Sequence, residues 1–302
     1  MAFFSLPSLT LITNSFLSLS TFKILQLNFF PLSLNEMVDS SEFSCSTMKF
    51  SSSLSLSKIS LPWGVFPEII KSTLNESILK KALEKSLISF KTFDPKDYLN
   101  AKERVDDKVY GGGPGMLLKP EPLMRAIDDI FSSIKKSKTK TIYLSPRGKP
   151  FNQKKAVSLS KEENILFICG RYEGIDQRII DHYVDEEISI GDYVLSGGEL
   201  PALVVCDAIT RNIKGVLGDE ESLAQESFSE GLLEYPQYTR PEKTILGDVP
   251  NELTSGNHEL IAKWRKKQML GLTTLIRKDL IDKIELSSEE RKLVEEFFDE
   301  LN

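Results

Sequence analysis

Short apolar stretches alternate with helical patterns between residues 58 and 217, and this alternation predicts an α/β fold. The clearest stretch, at 165–169, reads Ile-Leu-Phe-Ile-Cys and has the length and composition of a buried strand. A glycine follows it directly, and a second apolar stretch ends in IGDYVLSGG at 190–198. Strands of α/β proteins that end in Gly-rich turns form ligand crevices. We therefore expect a small-molecule site in this region.

The remaining pattern predicts the other elements of the chain. Apolar residues at helical spacing predict helices at 76–86, 122–134, 152–160, 201–211, 258–272, 279–284 and 287–301. Strands are predicted at 87–93 and 140–144, and a first strand with the turn into a helix within 54–70. Residues 100–116 are predicted to be an irregular loop, because YGGGPG cannot form regular structure.

Shifts in composition predict four segments. Residues 1–57 hold fifteen serines and few charged residues, 218–232 is an acidic interdomain linker, and 236–250 is a Pro-rich connector. We expect an α/β domain at 58–217 and a small α-helical domain at 233–302. The leader is a Ser-rich transit peptide, a disordered extension, or the product of a wrong start codon with Met48 as the true start; the last interpretation is favoured. Its apolar residues are too interrupted for a transmembrane helix, so no membrane association is expected.

Composition narrows the classes of function. The 302 residues are 40% hydrophobic and carry a net charge of −6, with a normal core expected. Three scattered cysteines without a CxxC motif and only two histidines argue against a disulfide framework or a zinc site, so no metal-ligand set is predicted. One basic patch stands out against the acidic average. It consists of Lys263, Arg265, Lys266, Lys267, Arg277 and Lys278, and around Trp264 it predicts a helix that contacts phosphates.

Two common phosphate-binding loops are absent from the sequence. The glycine run at 111–115 does not fit GxGxxG, because Met116 occupies the place of the third glycine. Gly148-Lys149 is followed by Pro150 instead of the serine or threonine of a P-loop. The small-molecule site is therefore expected to hold its ligand by other means.

Three long motifs resemble the bacterial tRNA (guanine-N1)-methyltransferase family. They are VDDKVYGGGPGM at 105–116, GRYEGID at 170–176 and SIGDYVLSGGELPA at 189–202, within a resemblance that runs from about residue 66 to near the C-terminus. The resemblance implies the SPOUT fold with a deep trefoil knot. It also implies methyl transfer from S-adenosylmethionine to N1 of the guanosine at tRNA position 37, and a homodimer with active sites at the subunit interface. A cytoplasmic location is expected, or an organellar one if residues 1–57 are a transit peptide.

In the family, backbone groups of three loops hold the methyl donor. The positions that match here are Tyr143, Leu144, Ser145, Pro146, Gly170, Tyr172, Glu173, Gly174, Ile190, Gly191, Tyr193, Leu195, Gly197 and Gly198. Tyr172 and Tyr193 are expected to pack on adenine. The resemblance also links Glu173 with a magnesium ion near the donor.

Two residues match the family's catalytic positions. The base, usually an aspartate two residues before a phenylalanine, corresponds to Glu226 in Glu-Ser-Phe. The cation that stabilises the guanine oxygen corresponds to Arg211. The longer glutamate makes the geometry of the base looser. This departure keeps a catalytically weakened RNA-binding protein open as an alternative, whereas the missing GxGxxG argues against a dinucleotide-dependent oxidoreductase.

Overall fold

In the computed structural model, the described residues are 58–60, 67–218, 226–228 and 230–301. The predictions made for the leader, and for most of the acidic segment at 218–232, lie outside these residues.

Strands and helices alternate through most of the described chain. The elements are β1 (Lys58–Ser60), α1 (Pro67–Leu74), α2 (Ser77–Glu84), β2 (Asp106–Lys108), β3 (Met116–Leu118), α3 (Pro120–Ser133), β4 (Thr139–Pro150), α4 (Gln153–Leu159), β5 (Asn164–Cys169), α5 (Gln177–Tyr183), β6 (Glu186–Ser189), α6 (Glu199–Arg211), β7 (Lys243–Thr244), β8 (Gly247–Asp248), α7 (Asn251–Thr254), α8 (His258–Ile276), α9 (Lys278–Ile281) and α10 (Ser288–Leu301). Two 3₁₀ turns, at Pro95–Tyr98 and Lys136–Lys138, connect some of them.

Among the described residues, four parallel strands form the central sheet, in the order β1-β5-β4-β6. β4 is longer than predicted, because it continues past Leu144 and pairs again with β6 after a register shift at Lys149. This places the Ser-Pro-Arg-Gly segment of β4 beside the end of β6. The predicted α/β class is confirmed, and the sheet is parallel.

Helices cover both faces of the sheet, and the strand residues alternate between the two cores. In β5, Ile165 and Phe167 pack with α1, α2, α4 and α6, whereas Leu166 and Ile168 pack with α3 and α5. Successive side chains of a strand point to opposite faces, so a strand buried on both sides must be apolar at every position. The uninterrupted apolar run at 165–169 is explained by this arrangement.

The predicted helices are present with bounds shifted by a few residues, and their caps explain where they begin. The Asn152 side chain accepts a hydrogen bond from the Lys155 N–H at 2.9 Å at the start of α4, and Asn257 caps α8 in the same way. Pro120 occupies the first turn of α3, where a missing N–H costs little.

Two predictions of local structure are wrong. Residues 87–93 have one bridge residue, Ile88, and no strand; Ile88 and Phe93 are buried, and Leu87 and Phe90 are partly buried against the core. The predicted loop at 100–116 contains β2 and the start of β3, which pair antiparallel. The glycines are confined to the connection between these strands, so they do not prevent regular structure on either side. The Pro-rich connector similarly contains the small hairpin β7–β8.

The chain after residue 250 is helical, with a small core of its own. Leu270 of α8 packs with Ile281 of α9 and with Leu232 of the preceding segment. Trp264 is also buried. In the part of the chain that the structure describes, no helix combines the length and apolarity needed to cross a bilayer.

Candidate active site

A cavity of about 480 Å³ lies beside residues 143–147 of β4 and at the carboxyl ends of β5 and β6. Its wall contains all fourteen residues that the sequence analysis assigned to donor binding. Three separate segments meet here, because β4 lies between β5 and β6 in the parallel sheet. The volume is within the range of roughly 300–1,000 Å³ that small-molecule sites have.

Tyr143 forms the floor of this cavity. It is buried, and burial raises the pKa of its hydroxyl, to which the backbone of Ile175 also hydrogen-bonds. A Cβ on Gly170 would come within 2.8 Å of the Tyr143 hydroxyl oxygen, and one on Gly174 within 3.0 Å. The turn at 170–174 therefore lies directly against the ring and is held close to the sheet.

Strand β3 anchors the other side of that turn. The Glu173 N–H donates to the Met116 carbonyl at 3.0 Å, and the Leu118 N–H donates to the Gly174 carbonyl at 3.1 Å. Gly115 has φ = +95°, and a Cβ there would lie 2.5 Å from the Glu173 side chain. Only glycine suits this position, because it combines a left-handed backbone with a close approach. Gly115 and Met116 thus position Glu173 at the cavity wall.

A buried ion pair fixes the loop that precedes α6. The Arg171 Nε lies 3.0 Å from a carboxylate oxygen of Glu199, whose side chain is only 1% exposed. Arg171 also donates to the Ser196 carbonyl at 3.2 Å. A buried carboxylate requires such a partner, since burial without one is costly. The pair therefore joins the turn after β5 to the loop after β6, and its role was not predicted.

Gly198 allows these two loops to touch. Its N–H donates to the Gly170 carbonyl at 2.9 Å, and a Cβ at this position would lie 2.6 Å from Cα of Cys169. A backbone atom cannot move aside as the end of a side chain can. The absence of a side chain at 198 is therefore a condition for the observed shape of the cavity.

Tyr172 has an unusual backbone conformation for its residue type, with φ = 58°. A bulky residue in the left-handed region costs about 1–3 kcal/mol and is concentrated at functional sites. Tyr172 and Tyr193 both line the cavity with exposed rings, so both remain available to pack on an adenine. Their predicted contact with adenine stays a prediction.

The cavity wall includes polar residues that the sequence analysis missed. Besides Arg171, they are Arg147, Gln177, Ser189 and Ser196. Arg147 lies in the extended part of β4, and the predicted end of that strand at residue 144 hid its position. The one feature of the sequence that could have indicated its position at the cavity is that it directly follows Ser145 and Pro146, which were assigned to donor binding.

These residues fit S-adenosylmethionine. The wall combines apolar surface and two exposed tyrosines with one carboxylate, Glu173, and one guanidinium that faces the space, Arg147. Such a lining suits a ligand with an aromatic base at one end and opposite charges at the other. Among the described residues, no group of three or more His, Cys, Asp or Glu side chains could hold a metal ion. The magnesium ion that the resemblance links with Glu173 stays a prediction.

The two residues assigned to catalysis lie in a different cavity. Arg211, at the end of α6, forms an ion pair with Glu226. They line a space of about 550 Å³ together with Tyr235, Gln237 and other residues. Within the described residues, neither of the pair belongs to the wall of the donor cavity. Within one chain, the donor cavity and the catalytic pair are therefore separate.

The segment after Glu226 is anchored to the C-terminal helices. The Ser227 hydroxyl accepts from the Glu234 N–H at 2.9 Å, and the Thr273 hydroxyl of α8 accepts from the Leu233 N–H at 2.9 Å. The Arg277 guanidinium lies 5.9 Å from the centre of the Phe228 ring. Position 226 is thus fixed by α6 on one side and by α8 on the other.

The basic patch is less cationic than its sequence suggests. Lys263, Lys266 and Lys267 of α8 pair with Glu296, Glu290 and Glu300 of α10, and Arg277 pairs with Asp279 at 2.8 Å. Arg265 stacks over Tyr235 at 4.8 Å. The three glutamates come from α10, which is remote in sequence, so the local run of basic residues did not reveal them. A phosphate contact by this patch stays a prediction and would compete with these pairs.

Comparison with known proteins agrees with the geometry. A family model described as tRNA (Guanine-1)-methyltransferase TrmD matches residues 59–283. A tRNA (guanine-N(1)-)-methyltransferase of Dictyoglomus turgidum is 50% identical over 238 residues, which are 78% of this chain and 95% of that protein. Its counterpart in Staphylococcus carnosus is 50% identical over 234 residues, 77% of this chain and 94% of that protein. The chain belongs to the tRNA (guanine-1)-methyltransferase family and, with it, to the SPOUT methyltransferases.

Proposed function

We propose that this chain transfers the methyl group of S-adenosylmethionine to N1 of the guanosine at tRNA position 37, next to the anticodon. One observation carries the proposal. In a chain of this family, the three donor-binding motifs meet around a single cavity at the strand ends. The Gly170–Gly174 turn and the loop that ends at Gly198 form its two sides, and Tyr143 forms its floor.

The donor supplies a methyl group on a sulfonium, which is already a good electrophile. The residues of the chain have to place it and to prepare the acceptor. The exposed rings of Tyr172 and Tyr193 offer flat surfaces for adenine, and the backbone of the loops offers hydrogen-bonding groups at the cavity wall. Binding by rigid backbone loops fixes the direction in which the methyl group faces.

Guanine N1 carries a proton that must leave when the methyl group arrives. Glu226 accepts this proton at its carboxylate, and the electron pair of N1 forms the new bond to carbon. The methyl–sulfur bond breaks, and S-adenosylhomocysteine leaves with the electron pair. Arg211 donates hydrogen bonds to O6, where negative charge develops as the proton departs. The Arg211–Glu226 ion pair holds the guanidinium and the carboxylate next to each other, so that both can reach the same guanine.

The separation of the two cavities supports a homodimer. The donor-binding residues and the catalytic pair line different cavities of one chain, yet the reaction requires the donor's methyl group and the catalytic pair next to the same guanine. We infer that the Arg211–Glu226 pair of one subunit faces the donor cavity of its partner across a twofold axis. The trefoil knot and a helical domain at 233–302 that presents its basic residues to tRNA belong to the same proposal.

A methylation assay tests the proposal directly. Purified protein is incubated with labelled S-adenosylmethionine and an unmodified tRNA transcript that has guanosine at position 37. The matched control transcript has adenosine at that position and is otherwise identical. We expect label only in the first transcript, and mass spectrometry of its nucleosides should identify 1-methylguanosine. Label at another nucleotide, or none with a folded protein that binds both ligands, would contradict the proposal.

A further inference from the structure

The donor cavity has one charged group without a role in the function proposed above. Three charged residues line it in the described structure: Arg147, Arg171 and Glu173. Arg171 is committed to the buried Glu199 at 3.0 Å. Arg147 and Glu173 are therefore the two charges that the cavity presents to a ligand.

Arg147 is held by its backbone, while its guanidinium is only loosely engaged. Its N–H donates to the Ser145 hydroxyl at 3.1 Å, which fixes the turn of the chain. The guanidinium contacts Gln177 at 3.3 Å and Glu187 at 3.5 Å. Good contacts between a guanidinium and a carboxylate are about 2.7–2.9 Å long. The side chain is also 63% exposed, so its present contacts can be exchanged for a stronger one at little cost.

We propose that Arg147 binds the carboxylate of the donor's methionine moiety, and this inference rests on the proposed use of S-adenosylmethionine. The donor carries two positive groups, a sulfonium and an ammonium, and one carboxylate. Glu173 offers a negative charge for the positive groups, and Arg147 offers a planar pair of donors for the carboxylate. The cavity thus offers a charge of the opposite sign for the positive groups of the donor and another for its carboxylate.

The location of Arg147 favours the donor over a phosphate of tRNA as its partner. It belongs to the same wall as Ser145 and Pro146, at the point where β4 passes the end of β6. A residue that served only tRNA would not need to line this cavity. Lys149, two residues further along the strand, is exposed and is absent from the described wall, which makes it a matched control for charge.

The test is a binding cycle that removes each partner separately. The two ligands are S-adenosylmethionine and its decarboxylated analogue, which keeps the sulfonium and the amine but lacks the carboxylate. The proteins are the wild type, Arg147→Gln, Arg147→Lys and Lys149→Gln, each studied as the full chain by calorimetry. For the wild type, loss of the carboxylate should weaken binding on the order of tenfold, the size expected for a charged hydrogen bond.

In Arg147→Gln, S-adenosylmethionine should bind about as weakly as the analogue does, so that the preference for the carboxylate disappears. Arg147→Lys should retain part of the preference, because it keeps the charge without the planar fork. Lys149→Gln should behave as the wild type does. A preference that survives in Arg147→Gln would overturn the inference, as would an equal loss in Lys149→Gln.

Two further outcomes distinguish a failure of this inference from a failure of the proposed function. If Arg147→Gln weakens tRNA binding and leaves the carboxylate preference intact, the partner of Arg147 is a phosphate and the inference is wrong. If the wild type binds neither ligand and transfers no methyl group, the proposed function itself has failed. Unchanged binding of 5′-methylthioadenosine, which lacks the whole amino-acid end, shows that a variant has kept its folded cavity.

Discussion

The guanidinium of Arg211 and the carboxylate of Glu226 form an ion pair across fifteen residues of sequence, and each side chain is about one-third exposed. The Watson–Crick edge of guanine presents an acceptor, O6, beside a donor, N1–H. These two groups match the pair, since Arg211 can only donate and the Glu226 carboxylate can only accept. Adenine presents the reverse order along the same edge. In the function proposed above, the ion pair serves as a template for guanine, and the guanine replaces the direct contact between the two side chains.

Removing the proton acceptor should slow the chemistry while leaving the donor site intact. Glu226→Gln keeps the size of the side chain and its hydrogen-bonding ability, but the amide cannot take the N1 proton. We expect the single-turnover rate to fall by roughly 10²–10⁴-fold, the usual contribution of a general base. The affinity for S-adenosylmethionine, measured by calorimetry, should not change, because position 226 lies outside the described wall of the donor cavity. An unchanged single-turnover rate would show that another group takes the proton.

Arg211 can be tested for geometry as well as for charge. Arg211→Lys keeps the positive charge but loses the planar fork that can reach O6 while it remains beside position 226. We expect the single-turnover rate to fall between about ten- and a hundredfold, somewhat less than the loss of a complete oxyanion donor. The melting temperature should change little, since the side chain is partly exposed. A variant with the wild-type rate would place the stabilising cation elsewhere.

The close approach at Gly198 predicts a sharp contrast between two glycines. A methyl group at 198 would lie 2.6 Å from Cα of Cys169, whereas no atom of the described residues lies within 4 Å of a Cβ at Gly218. Gly198→Ala should destabilise the fold by about 1–3 kcal/mol through overpacking and should weaken donor binding. Gly218→Ala should leave both unchanged. Thermal unfolding and calorimetry measure the two effects, and equal behaviour of the variants would refute the proposed shape constraint.

Residues 1–47 are expected to be dispensable for methyl transfer. The family match begins at residue 59, and all residues assigned to the two cavities lie beyond it. A chain that begins at Met48 should therefore have the kcat and KM of the full chain within about twofold. If the shortened protein has the same melting temperature but has lost activity, the leader takes part in the reaction.

The central sheet could be predicted because its strands are buried on both faces. A strand such as β5 has to be apolar along the stretch that is buried on both faces, and this requirement is visible in the sequence at 165–169. Residues 87–93 show the limit of the same argument. Their apolar residues indicate burial, but whether a buried segment pairs with a neighbour depends on the rest of the fold. The end of β4 was missed for a related reason, because its last residues pair with β6 only after the register shift.

The candidate site also contains some features that could be predicted from the sequence and others that could not. The donor residues could be assigned by resemblance because long motifs carry them, and the structure brings all fourteen together. The Arg171–Glu199 pair and the acids opposite the basic patch connect segments that are remote in sequence. No local pattern reveals such partners, since each residue alone is typical of a surface. The separation of the catalytic pair from the donor cavity likewise follows only from the packing of the linker against α8.

A mixing experiment distinguishes an active site within one chain from one shared by two. The donor-site variant Gly198→Ala and the base variant Glu226→Gln are each expected to have little activity. The two are produced together with different affinity tags, and the doubly tagged dimers are isolated. If the catalytic pair serves the partner's donor cavity, one site of each mixed dimer combines both defects, and the other site combines two intact parts.

The mixed dimer should then regain about half of the wild-type activity per dimer, because one of its two sites is complete. If each active site lay within a single chain, every site of the mixed dimer would carry one defect, and activity would stay at the level of the separate variants. Dimers that combine the wild type with Glu226→Gln provide the control, since they should have about half the wild-type activity under either arrangement. Recovery in the mixed dimer therefore shows that each active site combines the donor cavity of one chain with the Arg211–Glu226 pair of the other. No recovery in correctly folded dimers would assign the donor cavity and the pair to the same chain.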